Sequence, residues 1–455
     1  MINLTNYISS GLHNALIAIA ILSICFPILV RANDNGLGLT PPLGWRSWNL
    51  YVGNVHQTDV IKIMNGLVKR NRKDHVTGKL VSLCDLGYCD VGLDDTWQRC
   101  GSDRAADGMH YHDALGNPIV NLDRFPSMKN MTRHATQLGL MAGWYANNCA
   151  CSDHCRNDSE CEMQITQDVK ALIEYGFSSL KIDGCGGETD LVLWNKLIQE
   201  ISPAKPIMVE NCHGRDPKFK PNRTLPPAEG CPYNFYRTSV DIRNNYASIM
   251  HNLGTVEAFR KKNSSYPGCW AYADMLQVGV RHGLNYQEAR SHFGGWAIVS
   301  SPLTLSHDVN DDAVMDIIWD IISNREVLAV NQAYDGDSGG IYASGNHTIR
   351  LHSGDDDNFF TDIPVYQYLS KPIGGGKTAV LLVNSDDTNK TLVANFSEIP
   401  GIDCQPDNCE YVVRDIWNHV SLGNFHQSWS VSVESHDAAF VVLTRVTSII
   451  TKKIA

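Results

Sequence analysis

The chain reads as an α/β protein: a (β/α)8 barrel followed by an antiparallel β-sandwich. Three observations predict this. First, one rhythm recurs from about Thr40 to about Asp308: a short apolar run ends in polar or charged residues, and a helix-like segment follows. Strands alternating with helices imply a parallel sheet, and eight such units close into a barrel. Second, helical spacing stops after about Ala333, and alternating β-rich pieces separated by Gly, Asn and Asp turns take over. Third, 455 residues exceed one ordinary core.

The eight runs, in order, are residues 43–45 (LGW), 89–95 (CDVGLDD), 140–147 (LMAGWYAN), 179–183 (SLKID), 207–211 (IMVEN), 235–241 (FYRTSVD), 273–278 (ADMLQV) and 303–307 (LTLSH). Between them lie segments such as 164–175 (QITQDVKALIEY), with apolar residues at helical spacing and Gly176 as a stop. Residues 335–340 (DGDSGG) read as a linker or turn. The pieces 364–368, 378–383, 411–416, 429–433 and 438–443 supply the sandwich. The expected division is a signal peptide over 1–32, the barrel over 33–333, the sandwich over 334–446 and a frayed tail over 447–455.

Residues 15–30 form an apolar run followed by Val30-Arg31-Ala32, the pattern of a signal-peptide core with cleavage after Ala32. An uncleaved anchor is the alternative, but the run falls short of the ~18 residues that spanning needs. Cys25 lies inside this segment, so 13 of the 14 cysteines remain and at least one is unpaired within the chain. Seven Asn-x-Ser/Thr sequons beyond the expected signal peptide, at Asn130, Asn157, Asn222, Asn263, Asn346, Asn389 and Asn395, fit a secretory route. That route ends in secretion or in a vacuolar or lysosomal compartment, with no stable membrane insertion once the signal is removed. A net charge of -11 argues against nucleic acid as partner, since phosphate binding needs a basic patch.

In a (β/α)8 barrel the chemistry sits at the C-terminal strand ends. Asp94, Asp95, Tyr145, Asp183, Glu210 and Asp241 all fall there. Lys181 and Asp183 share strand parity, as do Arg237 and Asp241, so each pair can face the mouth. Gly184 follows Asp183 where the chain can turn sharply. Two carboxylates at one mouth are the equipment of glycoside hydrolysis, one attacking the anomeric carbon and one donating a proton to the leaving oxygen. On spacing alone either Asp could equally cap the helix after its strand. The loop after the third run holds Cys149, Cys151, His154, Cys155 and Cys161. Zinc ligation is one reading; a disulfide cluster is favoured in an oxidising compartment.

Five motifs then carry a family resemblance: TPPLGWRSWN (residues 40–49), GYCDVGLDDTW (87–97), LKIDGC (180–185), YRTSVDI (236–242) and PGCWAYADML (267–276). In this order they resemble glycoside hydrolase family 27, the melibiase-like α-galactosidases and α-N-acetylgalactosaminidases. The resemblance continues through NREVLAVNQ (324–332) and more faintly into the β-rich end. It implies a retaining hydrolase that removes terminal α-galactosyl residues from an oligosaccharide, glycolipid or glycoprotein, without a metal or cofactor, as monomer or homodimer. Asp183 would be the nucleophile and Asp241 the general acid/base. Asp94 and Asp95 would bond the 4- and 6-hydroxyls, and Lys181 the 3- and 4-hydroxyls. Arg237 and Cys212 would lie near the 2-position. Trp48, Tyr145, Asp274 and Met275 would complete the pocket.

Retention implies carboxyl groups about 5–5.5 Å apart. The expected division of labour has Lys181 keeping Asp183 ionised and the charge of Asp183 raising the pKa of Asp241. By the same resemblance Cys185 would pair with Cys149, Cys151 or Cys155. The fifth run departs from the family's Cys-Glu-Trp pattern, reading Glu210-Asn211-Cys212-His213-Gly214, and the seventh has Cys269 where the family has Gly. Cys269 and Cys212 are therefore the candidate free thiols. The departure leaves α-N-acetylgalactosaminidase and β-L-arabinopyranosidase as rival activities, and an inactive galactose-binding protein as a rival of another class.

Overall fold

In a computed structural model, which describes residues 35–101, 109–151, 153–212, 231–352, 360–405 and 408–446, eight short strands make one parallel sheet. The expected signal peptide with Cys25, the sequon at Asn222, His213 and Gly214, and the tail over 447–455 lie outside these residues. The strands are β1 (Leu43–Arg46), β2 (Asp90–Gly92), β3 (Met141–Ala146), β4 (Ser179–Ile182), β5 (Met208–Asn211), β6 (Phe235–Arg237), β7 (Trp270–Tyr272) and β8 (Leu303–Leu305). Their order is β8-β1-β2-β3-β4-β5-β6-β7. Beyond β7, Leu276 N–H donates to Thr304 O of β8 (2.8 Å).

One strand lies earlier than expected. The seventh is Trp270–Tyr272, paired with Phe235–Arg237, rather than residues 273–278. Asp274 has φ of 86°, which no strand accommodates, so the ladder stops before it. The sixth strand likewise ends at Arg237, and Thr238 and Ser239 instead bond the Tyr272 and Ala273 carbonyls.

Seven main helices fill the returns described: α1 (Gln57–Leu67), α2 (Met128–Gln137), α3 (Asp158–Tyr175), α4 (Leu191–Ile201), α5 (Tyr246–Thr255), α6 (Tyr286–Ile298) and α7 (Asp312–Ile322), with α8 (Arg325–Gln332) following. Their starts are legible in the chain. Asn157, Asp190, Asn285 and Asp311 each accept a backbone N–H of the first turn. Gly176 ends α3 in a left-handed conformation. No helix among the described residues is long and apolar enough to cross a membrane.

Ten antiparallel strands follow: β9 (Gly340–Ser344), β10 (Thr348–His352), β11 (Phe360–Pro364), β12 (Tyr366–Pro372), β13 (Lys377–Asn384), β14 (Lys390–Asn395), β15 (Glu410–Asp415), β16 (Val420–His426), β17 (Ser428–Val433) and β18 (Ala438–Arg445). Six form a sheet of order β9-β12-β13-β18-β15-β16, and β14 pairs with β17 beside it. Alternation decides its two faces. Val380, Leu382, Val441 and Leu443 pack with Leu392, Phe396 and Trp429 of the smaller layer. Ala379, Leu381, Val383 and Phe440 join the barrel's core instead. The 335–340 linker makes this docking tight: Gly339 has φ of 87°, and a Cβ there would lie 1.9 Å from Ile298 O.

Candidate active site

Strand parity places the charged side chains inside the barrel. Registered partners in a parallel sheet face the same way, so Tyr145, Lys181 and Glu210 form one inward row. Deep in the barrel Arg46 pairs with Glu210 at 2.7 Å and donates to Leu93 O at 3.1 Å. Above it Lys181 Nζ donates to Asp94 Oδ2 at 2.7 Å. Burial works against the Lys181 ammonium, but Asp94 and its neighbours outweigh it and hold the pKa well above the usual lysine value.

Asp183 is the first residue beyond β4. Its Oδ2 accepts the Tyr145 hydroxyl (2.7 Å) and lies 4.0 Å from Lys181 Nζ; its Oδ1 accepts Gly184 N–H (2.7 Å). Burial would raise its pKa. Lys181, these two donors and Arg237 outweigh that and hold the carboxyl below the usual aspartate value. The side chain remains 18% exposed, enough for a ligand to reach it. The arrangement is therefore an ionised carboxylate, fixed from two sides and open on the third.

The loop after Asp183 is pinned hard. Asn147, in a left-handed conformation at the end of β3, donates to Asp183 O (2.6 Å) and accepts Glu188 N–H (3.0 Å). A Cβ on Gly186 would lie 2.3 Å from Asn147 Oδ1, so this close approach requires glycine at that position. Cys149 bonds Cys185, one of the three expected partners. The other loop cysteines also pair, as Cys100–Cys151 and Cys155–Cys161. Among the described residues Cys212 is the free thiol, and it is buried. Cys269, the other candidate, bonds Cys231 from the start of the β6 segment.

Several expected roles change. The Asp241 side chain is 85% exposed and its Oδ1 lies 2.7 Å from Arg237 Nη1. The Arg237 guanidinium is attracted to both Asp241 and Asp183. Asp95 accepts four hydrogen bonds: Cys149 N–H and Ala150 N–H on Oδ2, Thr96 N–H and Gln98 Nε2 on Oδ1. A carboxylate has about four acceptor sites, and these bonds make Asp95 a fastener of the loops after β2 and β3. Asp274 behaves similarly. It accepts Ile242 N–H (2.8 Å) and Met275 N–H (2.7 Å) and lies 3.4 Å from Arg237 Nη1, so it anchors the segment carrying Asp241.

Met275 is buried in an inner cluster with Met208, Phe235, Trp270 and Tyr272, against which Trp48 packs half-buried. Met275 is thus core, and Trp48 flanks the mouth. Cys212 is buried beside Arg237, Asp183 and Lys181, and burial pushes its thiol pKa well up. Sequence reasoning missed Arg46 and Asn147 and left Glu210 unassigned. An Arg and a Glu at inward positions of two strands was an available signal, as was an Asn at a strand end.

A charged, water-facing mouth on a (β/α)8 barrel, backed by an antiparallel sheet, is the layout of a glycosidase. The chain belongs to the alpha galactosidase A family. That family's model matches residues 40–333, and the alpha galactosidase C-terminal beta sandwich domain matches residues 365–443. An α-galactosidase of Oryza sativa subsp. japonica is 30% identical over 419 residues, covering 91% of this chain and 87% of that one. One from Cyamopsis tetragonoloba is 29% identical over 424 residues, covering 90% and 88%. Among solved structures, the α-galactosidase of Saccharomyces cerevisiae shares the fold with a TM-score of 0.71 at 19% identity, over 92% of this chain and 100% of that one. α-Galactosidase I of Mortierella vinacea does so with a TM-score of 0.69 at 22% identity, over 91% and 100%.

Proposed function

We propose that this chain is a retaining α-galactosidase of the secretory route, with Asp183 as nucleophile and Asp241 as general acid/base. The observation that carries the reading is the state of Asp183: an ionised carboxylate held by Lys181, Tyr145 and Gly184 at an open barrel mouth. In the first step Asp183 Oδ attacks the anomeric carbon, the glycosidic C–O bond breaks, and the leaving oxygen takes the Asp241 proton. In the second, water attacks the same carbon, Asp241 takes a proton from that water, and the Asp183 ester bond breaks. The products are galactose and the free alcohol.

Asp94 and Lys181, bonded to each other at the base of the mouth, supply a charged acceptor and donor for ring hydroxyls. Trp48 offers an aromatic face for the apolar side of the sugar. The Tyr145 hydroxyl keeps its proton, because burial and then Asp183 raise its pKa well above the usual value, so it remains a donor to the nucleophile. Six disulfides among the described residues support an oxidising destination, outside the cell or in a vacuole.

One observation keeps a second specificity in play. Glu210, at the strand expected to read the sugar 2-position, is committed to Arg46 below the mouth, and Cys212 takes the place beside Arg237. The test is a panel of aryl α-galactoside, α-N-acetylgalactosaminide and β-L-arabinopyranoside, with the anomer of the first-formed product read by NMR. The α-galactoside should be cleaved fastest with retention. Faster cleavage of either rival reassigns the sugar, and inversion overturns the mechanism.

A further inference from the structure

Behind the nucleophile loop lies a second polar cluster that the proposed hydrolysis does not use. His112, Asp153, Asp168 and Glu188 come from four separate segments: the residues before α2, the loop after β3, helix α3 and the loop after β4. All four are buried to within 1%. The His112 ring has a defined orientation. Its Nδ1 lies 3.0 Å from Asp153 Oδ2, which also accepts the His112 backbone N–H, while Asp153 Oδ1 is 2.5 Å from His110 Nδ1. With no ion present, Asp168, Glu188 and Asp153 outweigh burial and raise the His112 pKa to about 10, so both ring nitrogens carry protons; a ring that keeps only its Nδ1 proton presents a lone pair at Nε2.

That lone pair faces two carboxyl groups. Nε2 is 3.2 Å from Asp168 Oδ1 and 3.7 Å from Glu188 Oε1. Asp168 Oδ2, fully buried, accepts no hydrogen bond from a described nitrogen or hydroxyl donor, and Asp168 shares its side-chain hydrogen bond with the Glu188 carboxyl, whose pKa burial and then Asp168 push well up. Acceptor atoms converging in a dry site repel one another unless a positive charge sits among them. One atom from each of the three side chains lies within 4.8 Å of the others. Ligands about 2.0–2.2 Å from a tetrahedral ion are separated by roughly 3.3–3.6 Å, and the two measured separations fall on either side of that range. A carboxylate on the far ring nitrogen is the usual outer partner of a metal-bound histidine, and Asp153 occupies that place.

We propose that His112 Nε2, Asp168 and Glu188 bind one divalent cation of the zinc class, with Asp153 fixing the histidine tautomer. One imidazole nitrogen and two carboxylates are a donor set such an ion takes. The residues act by position. Glu188 N–H donates to Asn147, and Asn147 donates to the Asp183 carbonyl, so the cation pins the far end of the loop carrying the nucleophile. The Cys149–Cys185 bridge holds the same loop nearer its start.

The experiment uses the full mature chain, purified without chelator or histidine tag, and does not depend on glycosidase activity. Elemental analysis should find one zinc per chain. After chelation, titration with zinc chloride should raise the thermal midpoint and saturate at one equivalent. Asp168→Asn and Glu188→Gln, checked for native circular dichroism, should lose both the bound zinc and the shift. If the chelated wild-type chain takes up no zinc and its midpoint does not move, the proposal fails and protons hold the cluster together. It fails equally if both folded variants retain one zinc, because the ion then sits elsewhere.

Discussion

The barrel and the C-terminal sheet bury opposite things. Inside the barrel lie Arg46, Asp90, Asp94, Lys181, Glu210 and Arg237, all under 8% exposed. The two middle strands of the sheet bury Val380, Leu381, Leu382 and Phe440 on opposite faces. Both regions use the same alternation along a strand. The barrel turns most of its apolar residues outward against the helices and holds charge in its interior beside the small cluster of Met208, Phe235, Trp270, Tyr272 and Met275, whereas the sheet is apolar on both sides because each side meets a packed layer. Charge inside the barrel is costly and needs pairing, which Glu210 provides to Arg46 and Asp94 to Lys181. The sheet offsets part of that cost by docking Leu381 and Phe440 against α6.

The sharpest way to break this contrast is at Asp183. Asp183→Asn keeps the shape and removes the nucleophilic charge, so turnover of an aryl α-galactoside should fall by about 10^4-fold or more while the fold stays intact. A fall below tenfold would mean that the barrel's charge is structural. The acid limb of the wild-type rate should lie below the ordinary aspartate range, since Asp183 loses its charge only there. Tyr145→Phe deletes a hydrogen bond to the charged form and should move that limb upward.

The next effect is on stability. Glu210→Gln leaves Arg46 buried beside a neutral group and should cost about 3–5 kcal/mol, read by denaturant titration. Asp90 and Asp94 also draw on Arg46, which places the expected cost at the lower end of that range. In the sheet, Leu381→Ala removes a fully buried side chain at the docking face and should cost about 2–5 kcal/mol through lost burial and a cavity. The two variants should differ in kind. The barrel variant should lose activity at temperatures where it is still folded, and the sheet variant should lose it only on unfolding.

How much of this was legible depends on what each signal encodes. The rhythm of apolar runs located seven of the eight barrel strands, because a strand buried against helices must be apolar over its whole short length. The seventh was placed three residues late. Trp270–Tyr272 looks no more strand-like than Ala273–Val278, and only the positive φ of Asp274 separates them. Lys181 and Asp183 stand together as strand parity implied, and Asp94 meets Lys181 from the end of its own strand. Asp95 also accepts the Cys149 and Ala150 amides, Asp274 that of Ile242, and Met275 packs in the inner cluster, partners far off in sequence that periodicity cannot report. The pairing of Cys269 with Cys231 belongs to the same class of long-range fact.

The smallest predicted effect tests a buried cation on the sheet side of the comparison. Lys371, on β12, is fully buried and donates to Val330 O and Asn331 O at the end of α8. Burial, opposed only weakly by Asp337, pulls its pKa down to about 7. Between that value and the ordinary lysine value near 10.5, the unfolded chain holds a proton that the folded chain lacks. Stability therefore rises with pH across this window, by at most about 1.4 kcal/mol per unit from this group, and its cost is present in full below pH 7. Lys371→Met abolishes the titration. Denaturant titrations of both proteins at pH 7, 8 and 9 should show a smaller slope of stability against pH in the variant. Equal slopes would mean that the two carbonyls keep Lys371 charged across the window, and that the sheet, like the barrel, holds a buried charge by giving it partners.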